Sequence, residues 1–117
     1  MPHQMNDHMR ECIDRCQNCQ EICLEAVSHC LEMGGEHAAP EHIRTLATCA
    51  EICDTAARFM LLSSRHHART CDACAEVCEA CAEDCARFED DSMKRCADVC
   101  RRCAESCHEM ARSSINA

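Results

Sequence analysis

Residues 71–85 read CDACAEVCEACAEDC, five cysteines in fifteen residues at steps of three, four, three and four. Steps of three and four return a side chain to one face of an α-helix, whereas a strand needs steps of two. The stretch therefore predicts a helix whose buried stripe is made of thiols where leucines are usual.

The same device recurs along the chain. A pentapeptide appears four times, as CQEIC at 19–23, CAEIC at 49–53, CAEVC at 74–78 and CADVC at 96–100. Each copy pairs two cysteines with an acid and a β-branched apolar residue. Further cysteines extend the copies into runs with heptad-like spacing: Cys12, Cys16, Cys19, Cys23 and Cys30; then Cys71, Cys74, Cys78, Cys81 and Cys85; then Cys96, Cys100, Cys103 and Cys107. The second copy stands alone as Cys49 and Cys53. Ile22, Ile52, Val77 and Val99 flank the stripes and widen them into a core-facing band, while Glu21, Glu51, Glu76 and Asp98 read as a solvated face.

Punctuation divides the chain into four helices at about 7–33, 41–62, 65–88 and 92–113. Gly34 and Gly35 stop the first, and Pro40 opens the second. Ser63 or Ser64 offers a cap for the third, and Ser92 a cap for the fourth. Four helices of similar length with short connections predict an all-α, antiparallel up-down four-helix bundle with a Cys-lined core, one domain spanning residues 1–117.

Composition agrees with a thin core. Leu, Ile, Val and Phe together number 15 in 117 residues, with no Trp or Tyr, so 16 Cys, 17 Ala and 7 Met must fill the interior. A formal charge of −9 with almost no aromatics disfavours nucleic acid. No apolar run approaches membrane-spanning length, so no membrane partner is expected. MPHQMNDHM has no basic n-region and no apolar h-region, which leads us to expect the cytosol. Cytosolic thiols stay reduced, and bridges between i and i+3 or i+4 inside a helix are strained, so disulfides are disfavoured. No nucleotide loop or Ser/His/Asp ordering suggests an enzyme.

Metal binding is the chemistry left for the thiols. A tetrathiolate Zn²⁺ centre carries a net charge of −2, and several of them stacked in an apolar core would be costly without cations. The second helix, with two cysteines, also limits the layers that could draw a thiolate from every helix to two. Cu(I) is soft, accepts two or three sulfurs, and leaves the charge unchanged when it replaces a thiol proton. The i, i+4 pairs Cys12/Cys16, Cys19/Cys23, Cys49/Cys53, Cys74/Cys78, Cys81/Cys85, Cys96/Cys100 and Cys103/Cys107 are spaced to bracket such ions. Ala26 and Ala56 interrupt the stripes and predict local gaps in an ion array.

The stripes CAEIC, CDACAEVCEACAEDC and CADVCRRCAESC resemble the bacterial copper storage proteins over nearly the whole chain. That resemblance implies a homotetramer of four-helix bundles holding many Cu(I) ions along each bundle interior, through all sixteen cysteines, in the cytosol. Metal would be exchanged with a copper chaperone or a small thiol. The alternative is a zinc-binding or iron–sulfur redox or buffer protein, although iron–sulfur clusters usually take their cysteines from loops that wrap them.

The heptad register places Met5, Met9, Met60, His67 and Met110 on the seam at one end of the bundle, with His66 and His108 near it. Thioether and imidazole bind Cu(I) less tightly than thiolate, as a site of metal intake requires. The other end carries Met33, His42, Leu46, Phe88 and Met93 and reads as an apolar plug offering no ligand. His3, His29 and His37 read as surface residues.

Overall fold

Asn6 starts the first helix: its side-chain oxygen accepts the Met9 N–H at 2.7 Å, satisfying a donor that the first turn leaves open. The computed structural model describes the backbone of residues 6–116 and the side chains of residues 6–113. Helix α1 runs from Asp7 to Met33 and stops where Gly34 takes φ 71° and returns its N–H to the Cys30 carbonyl. A 3-10 turn, Gly35–Ala38, leads to α2, Pro40–Leu61, with proline in its first turn. Helix α3 covers His67–Cys85 and α4 covers Asp91–Asn116.

Three boundaries depart from the sequence reading for local reasons. Ser63 adopts φ 54°, and Ser64 receives the His66 N–H on its hydroxyl and the His67 N–H on its carbonyl. These bonds close a turn, so α3 begins at His67 and not at residue 65. At its far end the Arg87 and Phe88 N–H groups bond back three residues, to Asp84 and Cys85, and the helix closes before residue 88. The cap of α4 is Asp90, whose carboxylate accepts the Met93 N–H at 3.4 Å, and not Ser92.

The four helices form a square. Helix α1 packs on α2 and α4, and α3 packs on α2 and α4, while the diagonal pairs stay apart. Consecutive neighbours joined by short turns run antiparallel, giving a rod of 51 × 20 × 19 Å. Every cysteine side chain is fully buried, and Ala50, Ala57, Ala75, Ala82, Ala97 and Ala104 beside the stripes let the backbones approach. Ile13 and Ile22 join the core, with Ile52, Val77 and Val99 packed at its margin. Glu21, Glu51, Glu76 and Asp98 face solvent, as the repeat predicts.

Candidate metal centre

Because each stripe occupies one helix face, folding brings four thiol columns to a common axis. The closest sulfur pairs lie between helices: Cys16 and Cys107 at 3.5 Å, Cys53 and Cys78 at 3.5 Å, Cys19 and Cys100 at 3.7 Å, Cys12 and Cys107 at 3.7 Å. Within a helix, Cys74 and Cys78 stand 3.8 Å apart and Cys19 and Cys23 4.0 Å apart. The helical i, i+4 pairs are thus in reach of each other, and the cross-helix pairs are closer still. All sixteen thiols are free of disulfides.

The sulfurs gather in groups whose members all lie within 4.8 Å of one another, and the groups follow one another along the bundle. Cys12, Cys71 and Cys107 come first; then Cys16, Cys74 and Cys103 with the same Cys107; then Cys19, Cys53 and Cys78 with the same Cys103. Next are Cys23, Cys49 and Cys100 with the same Cys19, and then Cys81 and Cys96 with the same Cys23 and Cys100. Each group shares a thiol with its neighbour, which makes the interior one continuous ligand array. At metal–sulfur bonds of about 2.3 Å a linear pair spans about 4.6 Å and a trigonal edge about 4.0 Å, so both fit these groups. Cys85 and Cys96 also interact directly.

Charge discriminates among metals better than distance. The buried polar residues are His42 and Ser106, and among the described residues no Lys or Arg is buried. Nothing in the core offsets the −2 of a tetrathiolate Zn²⁺, whereas exchange of H⁺ for Cu⁺ adds no charge. Neighbouring thiols divide the array: bonds from them favour the charged form at Cys12, Cys19, Cys49, Cys74 and Cys96 and oppose it at other positions. Bonds from neighbouring thiols, and then burial, push Cys16, Cys53 and Cys100 above the ordinary cysteine value. Burial first, then the charges of Asp90, Cys96 and Asp84, push Cys30 up to about 11.

One turn beyond Cys12, Cys71 and Cys107 lie Met9 on α1, His67 on α3 and Met110 on α4, with the end of α2 supplying Met60. Met60 and Met110 are buried and Met9 is half-buried. His67 gives its Nδ1–H to the Ser64 carbonyl at 2.8 Å. His66 is exposed, and His108 turns its Nε2 to Glu79 at 2.9 Å. Met5, like His3, lies outside the described residues.

The opposite end corrects the sequence reading. Leu46, Phe88 and Met93 are buried there, but Met33 is exposed, and the end is not without ligands. His42 is buried with Nε2 3.4 Å from Cys30 Sγ, and Cys30 directs its S–H toward Met93 Sδ at 3.7 Å. His29 and His37, expected on the surface, are partly buried and share the two oxygens of Asp90 at 3.0 and 2.8 Å. Helical periodicity shows that His42 faces inward; its pairing with Cys30 depends on the α1–α2 connection.

A family model described as copper storage protein matches residues 5–112. A crystal structure of a Nitrosospira multiformis protein shares 43% identity, covers 93% of this chain and 99% of its own, and superposes with a TM-score of 0.89. The Cu(I)-bound copper storage protein BsCsp3 is 34% identical over 90% of this chain and 99% of its own, with a TM-score of 0.85. A structure of copper loading to a cytosolic copper storage protein from Streptomyces lividans, with five coppers, is 29% identical over 91% of this chain and 93% of its own, with a TM-score of 0.78. None of the curated proteins matches. With the family match spanning nearly all of a four-helix bundle whose interior is a continuous run of thiols, the chain belongs to the copper storage protein family.

Proposed function

We propose that this chain is a cytosolic store for Cu(I), a single domain that holds many cuprous ions on its sixteen cysteines and acts by sequestration, not by catalysis. The observation that carries the reading is the sharing of thiols between successive groups in a core with no buried Lys or Arg among the described residues. Shared sulfurs suit bridged, low-coordinate soft ions and give closed tetrathiolate zinc centres no room to be independent. No observation favours the zinc or iron–sulfur alternative. The cytosol keeps the thiols reduced, and the similar Streptomyces lividans protein is described as cytosolic. A copper chaperone or a small thiol would deliver and remove the metal by ligand exchange. Leu24 and Leu31, exposed seven residues apart on α1, support the homotetramer that the family resemblance implies.

Anaerobic titration of the metal-free chain with Cu(I) against a competing chelator tests the reading. Uptake should approach about one ion per thiol with about one proton released per ion. Saturation at one or two ions per chain would overturn storage.

Copper intake belongs, in this reading, to the Met/His end, with Met9, Met60, Met110 and His67 at the mouth and Met5, His66 and His108 around it. Soft neutral side chains strip a carrier's ligands from Cu(I) without trapping it ahead of the thiolates. Replacing Met9, Met60 and Met110 together by Leu keeps apolar volume, at about 1.5 kcal/mol or less per site, so the fold survives. Stopped-flow loading should slow while final capacity stays the same. Unchanged rates would make these methionines packing residues.

A further inference from the structure

At the end of the bundle away from the methionine cluster, three soft bases converge from three helices. Cys30 comes from α1, His42 from α2 and Met93 from α4, and all three side chains are essentially inaccessible to solvent. His42 Nδ1 lies 2.5 Å from Asp84 Oδ2, and the Arg87 guanidinium holds the other carboxylate oxygen at 2.7 Å. Because a guanidinium can only donate, Arg87 fixes one Asp84 oxygen as an acceptor and leaves the other facing the imidazole. The Nδ1–H is therefore the group that donates to Asp84, and Nε2 is the ring nitrogen that faces Cys30.

The thiol has one proton to share between two acceptors, Nε2 at 3.4 Å and the Met93 thioether at 3.7 Å. Cys30 Sγ thus has an imidazole nitrogen on one side and a thioether on the other, and all three side chains are closed off from solvent. For a trigonal ion with bonds of about 2.3 Å to sulfur and about 2.0 Å to nitrogen, ligand edges come to about 4.0 Å for S–S and about 3.7 Å for S–N. The Cys30–His42 and Cys30–Met93 separations are a few tenths shorter, a difference that side-chain rotation supplies. Phe88 covers the site, its ring centroid 4.6 Å from that of His42 and 4.4 Å from that of His37.

We propose that Cys30 Sγ, His42 Nε2 and Met93 Sδ form a separate terminal site for one Cu(I), with Asp84 as the residue that orients the imidazole. The site rests on the storage reading for its metal but not for its geometry. Cu⁺ would displace the Cys30 thiol proton to solvent, leaving a neutral centre with thiolate, imidazole and thioether ligands. Ala26 occupies the stripe position between Cys23 and Cys30 and sets this site apart from the main array. Carboxylate–histidine–metal relays of this kind fix ring orientation and raise ligand basicity.

Nitrogen-15 NMR of the full chain during anaerobic Cu(I) loading reads the site directly. The His42 Nε2 resonance should shift on loading while its Nδ1–H persists. Asp84→Asn should weaken the binding of one ion per chain by about 10–100-fold. His42→Ala should remove one ion from the capacity, and Met93→Leu, which keeps the core volume, should weaken that same ion. Circular dichroism of the metal-free variants checks their folds, and the wild-type resonance decides the question even if a variant fails to fold. A chain that loads fully with His42 Nε2 unmoved would overturn the terminal site and leave storage standing. A chain that takes one ion only, with His42 shifted, would overturn storage and leave this site.

Discussion

Filling the thiol array with Cu(I) should raise the thermal unfolding midpoint of this chain by tens of degrees. A ligand bound only by the folded state stabilises it by about 4 kcal/mol per site at a thousandfold excess over its dissociation constant. For a domain of this size each kcal/mol moves the midpoint by roughly 3–6 °C, so two such ions suffice, and the array offers many more thiols than two ions need. Unfolded cysteines also bind Cu(I), which trims the effect but does not remove it, because the unfolded chain cannot hold shared thiolates at 3.5–4.0 Å. The metal-free chain supplies the baseline. Its core is already closed by neutral thiols, so its helical circular dichroism should be strong before any metal is added. Thermal scans of metal-free and loaded protein, followed by that signal, make the comparison. A midpoint that moves by only a few degrees would place the copper on the surface, and a metal-free chain without helix would make this a metal-folded protein.

Acid should weaken copper binding by about tenfold per pH unit for each ion that displaces one proton, or about a hundredfold between pH 7.5 and 5.5. The sign follows from the thiols. Cys16, Cys53 and Cys100 sit above the ordinary value because neighbouring thiols and burial oppose their charge, so they enter the reaction protonated and an ion binding to them must compete with H⁺. Lower pH strengthens the competitor. Chelator competition at a series of pH values measures the slope, and a flat profile would mean that the thiols were ionised before the metal arrived. The metal-free fold should respond in the opposite sense. Cys30, raised to about 11 from an ordinary 9.0, favours the folded state below about pH 9, and that contribution is lost as pH rises through about 11. Alkali should therefore loosen the metal-free protein.

Much of the architecture was legible because the cysteine spacing carries it. Helix α1 spans the expected 7–33 and ends where the Gly34–Gly35 pair predicts, and Pro40 opens α2. The third helix was overextended at both ends. Nothing in the residue types of Ser63 and Ser64 distinguishes a cap from a left-handed turn, and the i→i+3 bonds after Cys85 depend on how the chain must bend to reach α4. Asp90 and Ser92 are both good caps, and which one meets the first free N–H is decided by the turn that delivers them.

The sequence by itself determined that four helices turn thiols inward, because a step of three or four residues maps to one helix face whatever the partners are. It also pointed to a soft ion, since sixteen thiols without neighbouring cations leave little else to bind. Only the tertiary structure decided which thiols share an ion-sized space, such as Cys19, Cys53, Cys78 and Cys103, one from each helix. Only the tertiary structure, too, turned an apparent apolar plug into a set of ligands. Cys30, His42 and Met93 are 12 and 63 residues apart along the chain, as measured from Cys30. Periodicity gives the face on which each lies but not its height along a neighbouring helix. That height is set by the packing of α1 against α2 and α4, which places the three side chains at the same level.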